Sequence, residues 1–206
     1  MFASSAIIHD IETMKKAGLA SLAFFYCDFR EDQKKDLRGL LSSLLVQLCS
    51  QSDSYYDILF KFYSEHDTGS RHPSNEALVR CLKDLLKLPG LHPVYFILDA
   101  LDEFPNANTP VVPSARGEVL NLIEVLTKSQ FSSLRICVTS RPAADIKDVL
   151  DPLIFRSVSL QDEGGQNRDL EDYIKSAINM NPKNRGWKAK DKQLAIEFLT
   201  EKPGGM

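Results

Sequence analysis

No stretch of this 206-residue chain comes near the roughly 20 consecutive apolar residues that a bilayer-spanning helix requires. Its first residues hold no basic segment leading into an apolar core, so no secretory signal is expected. A basic excess is also missing: 25 Lys and Arg stand against 28 Asp and Glu, a net charge of −3. That balance excludes the electrostatic footprint of a nucleic-acid-binding surface. The four cysteines, Cys27, Cys49, Cys81 and Cys137, stand singly among apolar residues. Metal ligation or a disulfide framework needs closer pairing, so buried free thiols in a reducing, cytoplasmic setting are expected. His9, His66, His72 and His92 form no ligand or nucleophile pattern, and no Gly-x-Ser-x-Gly occurs. Internal repeats and low-complexity runs are absent as well. With 43% hydrophobic and 26% charged residues, the composition is that of an ordinary soluble globular protein. The length suits one α/β domain, or one and a half.

The chain is organised around Val94-Tyr95-Phe96-Ile97-Leu98-Asp99-Ala100-Leu101-Asp102-Glu103-Phe104. Five apolar residues opened by Pro93 and closed by acids read as a parallel strand buried on both faces. The acids fall at its C-terminal end, the edge where open α/β sheets place ligands. Carboxylates crowded this closely repel one another, so a fold that keeps them is expected to hold a cation or developing positive charge there. The alternative is that they cap a following helix; Pro105 and the loop after it argue against an immediate one.

Around this strand the chain alternates helix and strand. A helix is expected over Met1–Lys16, ended by Gly18, then a strand over Leu19–Tyr26. Helices follow at Asp36–Ser50, with a leucine stripe read as core, and at Ser54–Glu65. The aromatics of the second, Tyr55, Tyr56, Phe60, Phe62 and Tyr63, are expected to pack on the first. Asp67–Pro73 reads as a loop, and Ser74 caps a helix that Leu88-Pro89-Gly90 breaks. Beyond the acids, Phe104–Ser114 holds three prolines and two asparagines and reads as a surface loop at the ligand edge. A helix over Ala115–Lys128, a strand over Arg135–Thr139 and a short helix over Asp145–Leu150 come next. A fourth strand is expected over Leu153–Leu160, a hinge-like turn at Asp162-Glu163-Gly164-Gly165, and closing helices over Arg168–Met180 and Asp191–Thr200. Such alternation predicts a parallel, doubly wound sheet with right-handed crossovers.

Four stretches together carry a resemblance. Val94–Glu103 resembles the extended Walker B motif of NACHT-type NTPases, members of the signal-transduction (STAND) branch of the P-loop fold. Phe24-Phe25-Tyr26-Cys27-Asp28-Phe29-Arg30 resembles the second strand of that core, and Leu134–Pro142 its sensor-1 strand. Gly204-Gly205-Met206 resembles the Gly-Met that opens the helix into the next domain. The nearest flavour is the fungal NACHT, or nephrocystin-like N-terminal, domain. The resemblance implies a three-layer P-loop NTPase-like core over 1–162 and the start of a helical lid over 163–206. It implies that Asp99 holds Mg²⁺ and that Asp102 or Glu103 orients or deprotonates the attacking water. Arg141 would reach the γ-phosphate of ATP or GTP as a sensor, the alternative being a surface arginine before a proline. Thr139 and Ser140 are weaker candidates for polar contacts; Arg30 is expected to form a salt bridge. In full-length relatives such a core is a nucleotide-driven switch, coupling hydrolysis or exchange to self-association of attached effector and repeat domains.

The chain departs from that pattern in one respect. No G-x-x-x-x-G-K-[ST] stands ahead of the first helix, where the resemblance puts it, and Ser4 and Ser5 lie too late to serve. The sequence is therefore expected to be a fragment that begins inside the helix a P-loop would open. The family sheet order, 5-1-4-3-2, then lacks an interior strand, and both exposed edges are expected to carry unpaired backbone groups. Nucleotide binding by these 206 residues is expected to be weak or nil. The alternative is a non-catalytic interaction remnant of the same fold.

Overall fold

The computed structural model describes residues 2–28, 30–31, 35–66, 72–88, 92–106, 114–159, 164–180 and 186–201, without the side chains of 2–3, 164–171 and 200–201. The Asp67–Arg71 part of the expected loop, Pro89-Gly90 and Gly204-Gly205-Met206 lie outside the described residues. The chain forms two compact units, Met1–Ile154 and Phe155–Met206.

In the first unit, helix α1 (Phe2–Lys16) leads through Gly18, at φ +70°, into strand β1 (Ser21–Tyr26). Helices α2 (Leu37–Cys49), α3 (Asp53–Glu65) and α4 (Asn75–Leu86) precede strand β2 (Val94–Asp99). A one-turn 3-10 helix (Leu101–Glu103), helix α5 (Ala115–Lys128), strand β3 (Leu134–Val138) and helix α6 (Ala144–Leu150) complete it. The helix starts follow local chemistry. Asp36, Ser74 and Ser114 each accept a hydrogen bond from the backbone N–H three residues on, satisfying donors that the first turn leaves orphaned.

The three strands pair in parallel in the order β1-β2-β3, with Ser21 beside Val94 and Val94 beside Leu134. Strand side chains alternate between faces. Ala23, Phe25, Val94, Phe96 and Leu98 enter the larger core with α2, α4, α5 and α6. Leu22 and Ile97 face the other way, onto Ile8 and Ile11 of α1. The result is three layers, helices–sheet–helix, and β2 is buried on both faces as its composition predicts.

One expectation about the sheet fails. Residues 153–159 form no strand, and Ile154, Phe155 and Val158 are exposed. Among the described residues the sheet has three strands, and residues 153–159 are not one of them. The free edge of β1, on the other hand, is not left bare. Gln47 near the end of α2 and Gln51 just beyond it lay their side-chain amides along it. Gln47 accepts from Phe24 N–H (3.0 Å) and donates to Phe24 C=O (2.8 Å). Gln51 does the same at Leu22 (3.0 and 2.6 Å). Two side chains thus serve this edge as a further strand would; the interior strand lacking from the 5-1-4-3-2 order belongs beside β3, at the opposite edge of the sheet.

On α3 the expected packing holds in part: Tyr55 is buried and Phe62 half-buried, whereas Tyr56, Phe60 and Tyr63 face solvent. Cys27, Cys49 and Cys81 are buried, Cys137 is half-buried, and all four are free thiols.

The second unit has helices α7 (Gly164–Met180) and α8 (Ala189–Glu201), packed through Ile174, Ile178 and Ile196. Gly164 and Gly165, expected as a hinge-like turn, are the first residues of α7; glycine is well tolerated where a helix begins.

Candidate functional site

Strand β2 delivers Asp99 to the carboxyl edge of the sheet with only 6% of its surface exposed. Register places it beside Tyr26 on one side, and Thr139 follows the Leu98–Val138 pair on the other. The Thr139 hydroxyl donates to Asp99 Oδ1 and accepts from Ala100 N–H at 3.0 Å. Thr139 also receives Leu101 N–H on its carbonyl (2.9 Å) and gives its own N–H to Leu98 C=O (2.9 Å). The residue read as a weak candidate is therefore the one that touches the central acid.

The chain leaves Asp99 through Ala100 at φ 58°, ψ 50°, the left-handed region. A small residue is required there because a larger or branched side chain crowds the backbone. The turn Leu101–Glu103 follows at once, so the acids do open a helical turn, of only three residues, before Phe104 stops it. Phe104 is fully buried and stacks on Phe25, ring centroids 6.1 Å apart, which anchors the turn to the core.

Asp102 is spoken for. Its Oδ1 accepts Arg141 N–H at 3.0 Å, and Oδ2 lies 3.6 Å from Arg141 Nε. Arg141 and Asp102 are thus brought together, with the arginine side chain largely in solvent. Among the described residues the Glu103 carboxylate makes no hydrogen bond. Arg30 forms the expected salt bridge, a two-pronged contact with Asp28 at 2.9 and 2.7 Å. That contact, with a smaller contribution from Glu103, pushes the exposed guanidinium further up.

Behind the acids lies Cys27, whose N–H donates to Asp99 C=O at 3.0 Å. Burial, and after it the charges of Asp99, Glu103 and Asp102, push its thiol up to about 12. The Cys137 thiol is raised too, by burial and then by Asp99. One fixed negative field therefore spans β1, β2, β3 and the turn.

Sequence reasoning missed Arg116. Its side chain is 13% exposed, donates to Phe104 C=O (3.1 Å) and Asp102 C=O, and pairs with Asp145 of α6 at 3.2 Å. A signal was available: a cation in the first turn of a helix opposes the dipole, so another partner must hold it there.

The donor set can be weighed against Mg²⁺. That ion takes one or two protein oxygens and fills its octahedron with water and phosphates. Asp99 with the adjoining Thr139 hydroxyl fits that share, and among the described residues no cluster of three or more His, Cys, Asp or Glu could hold a metal unaided. Cavities of about 440 and 600 Å³ lie elsewhere, the second at the amino end of the strands beside Lys15, Gln51 and His92.

A parallel sheet with helices on both faces, and a buried aspartate followed by an acidic turn at its carboxyl edge, defines an α/β domain whose layout is compatible with that of P-loop NTPases. The family described as Nephrocystin 3, N-terminal, matches residues 1–141, a span holding Asp99, Asp102, Glu103 and Arg141. The chain belongs to that family, in agreement with the NACHT-type, nephrocystin-like resemblance of its motifs. It is similar to vegetative incompatibility protein HET-E-1 of Podospora anserina, 26% identical over 149 residues. The match covers 70% of this chain and 10% of that relative, so the chain spans about a tenth of its length. No solved structure matches.

Proposed function

We propose that the chain carries the metal-binding and water-activating side of a NACHT-type nucleoside triphosphate switch. The observation that bears most weight is Asp99, buried at the end of the central strand with one oxygen held by Thr139. In this reading Asp99 and Thr139 hold Mg²⁺, which when bound neutralises charge on the phosphates. Glu103, rather than Asp102, orients the attacking water, because Asp102 is engaged by Arg141 while Glu103 is not engaged. Arg141, mostly in solvent at the mouth of the site, exchanges Asp102 for the γ-phosphate of ATP or GTP. Asp102 then acts as the resting partner of the sensor arginine. Residues 163–206 supply the start of a helical lid, and self-association and a cytoplasmic setting go with the whole-protein switch.

These 206 residues contain no G-x-x-x-x-G-K-[ST], so the backbone cradle that supplies most nucleotide affinity is not among them. The chain by itself should bind Mg²⁺-nucleotide more weakly than micromolar and turn it over negligibly. Calorimetric titration of the chain and of Asp99→Asn tests this. Weak binding that Asp99→Asn abolishes supports the assignment. Micromolar affinity refutes the expected weakness, and indifference to Asp99→Asn refutes the role of Asp99.

A second reading, a non-catalytic interaction module, is favoured by one observation. Tyr56, Phe60 and Tyr63 form an exposed aromatic stripe on α3, far more apolar than a solvated face requires.

A further inference from the structure

We propose that Arg116 is the positioning residue of the acidic turn, fixing the direction in which Glu103 points; this rests on the role given to Glu103 above. The turn is gripped from two sides. From β3, the Thr139 hydroxyl and carbonyl hold Ala100 N–H and Leu101 N–H, and Arg141 N–H holds the Asp102 carboxylate. From α5, Arg116 holds the backbone carbonyls of Asp102 and Phe104, the residues immediately before and after Glu103. Asp102 C=O belongs to the peptide plane that precedes Glu103, and Phe104 N–H, which donates to Leu101 C=O at 3.2 Å, to the plane that follows it; with Phe104 C=O held as well, the Cα–Cβ direction of Glu103 is fixed. The backbone N–H of Arg116 adds a third contact, to Pro105 C=O at 3.1 Å.

The residue type suits the task. A guanidinium presents donors in a rigid planar fork. Nε takes Phe104 C=O, Nη2 takes Asp102 C=O, and Nη1 takes the Asp145 carboxylate, so each nitrogen is engaged. Asp145 balances the nearly buried charge and ties the clamp to α6. A lysine ammonium reaches the same region but cannot span two carbonyls and a carboxylate in one plane. A cation at the start of α5, unfavourable towards its own helix, is thereby turned to holding the turn opposite.

Residue-resolved amide hydrogen exchange on the full chain, without nucleotide, tests the proposal. The reporters are Leu101, Glu103 and Phe104, whose N–H groups donate within and around the turn, and Arg141, whose N–H donates to Asp102. Arg116→Gln should speed exchange at these four amides by roughly tenfold while Tyr95–Leu98 of β2 keep their protection, the pattern of local opening. Arg116→Lys should recover the thermal midpoint but not the protection of the turn. Uniform loss across β2 and the turn, or an unchanged turn, overturns the proposal, as does full recovery of the turn by lysine. Should Arg116→Gln fail to fold, Asp145→Asn decides: it should raise exchange at the same amides to a lesser degree, and no local rise overturns the proposal. Because nucleotide is absent, failure here is distinct from failure of the nucleotide reading, which the Asp99→Asn titration addresses.

Discussion

Replacing Gln47 of α2 and Gln51 just after it by methionine should expose the β1 edge of the sheet. Methionine keeps nearly the same length and volume but neither donates to nor accepts from a backbone strand. Each replacement removes the pair of hydrogen bonds to Leu22 or Phe24, at 2.6–3.0 Å. A hydrogen bond contributes about 0.5–1.5 kcal/mol net, so each single variant should lose about 2 kcal/mol. The two glutamines are coupled, since Gln51 Nε2 also donates to Gln47 C=O at 2.6 Å. The double variant should therefore lose about 4 kcal/mol, not strictly the sum of the singles. Against a typical total of about 5–15 kcal/mol, that brings the chain close to unfolding. Urea unfolding with an unchanged slope measures the loss. Light scattering should report strand-edge association of the double variant, because an uncovered edge recruits further chains. A double variant that loses less than about 1 kcal/mol refutes the substitute-strand account.

The remaining predictions concern the site and its surroundings. Thr139→Val is nearly isosteric but takes the hydroxyl from Asp99 and Ala100 N–H; chemical denaturation should give a loss of about 2 kcal/mol, because a buried carboxylate and a donor lose their partner. Ala100→Val places a branched side chain at φ 58° and should lower stability by about 2 kcal/mol in the same assay, whereas Ala100→Gly should be tolerated. The Cys27 thiol, raised from 9.0 to about 12, gives stability that is complete below pH 9 and lost as pH rises from 9 towards 12, because the unfolded chain ionises first. That loss amounts to about 4 kcal/mol, and Cys27→Ala should flatten the alkaline limb of a pH–stability profile; an unchanged limb contradicts the burial of the thiol beside the acids.

What could be read from the sequence follows a physical division. Val94–Asp99 announced itself, because an unbroken apolar run ending in acids has few other uses. The α2 leucines and the Ser74 cap were legible for similarly local reasons of period and hydrogen bonding. The NACHT-type, nephrocystin-like resemblance of the chain was borne out by the family match. What could not be read depended on partners distant in the chain. Leu153–Ser159 has the composition of a strand, but composition does not decide pairing, and these residues form no strand. The task of Gln47 and Gln51 depends on β1, more than 20 residues away in the chain, lying beside them. Arg116 became meaningful only when α5 met the acidic turn across a loop. Asp102 and Glu103, equivalent as letters, are told apart by Arg141, a residue 39 positions from Asp102.

The most direct test of the central claim is a manganese titration followed by amide NMR, with ATP or GTP present. Mn²⁺ substitutes for Mg²⁺ at oxygen ligands and broadens the resonances nearest to it. The account predicts broadening first at Ala100, Leu101 and Thr139, around the Asp99 carboxylate, and its disappearance in Asp99→Asn. Broadening centred elsewhere, or broadening that survives Asp99→Asn, contradicts the claim that this acidic edge is built to hold a metal–nucleotide complex.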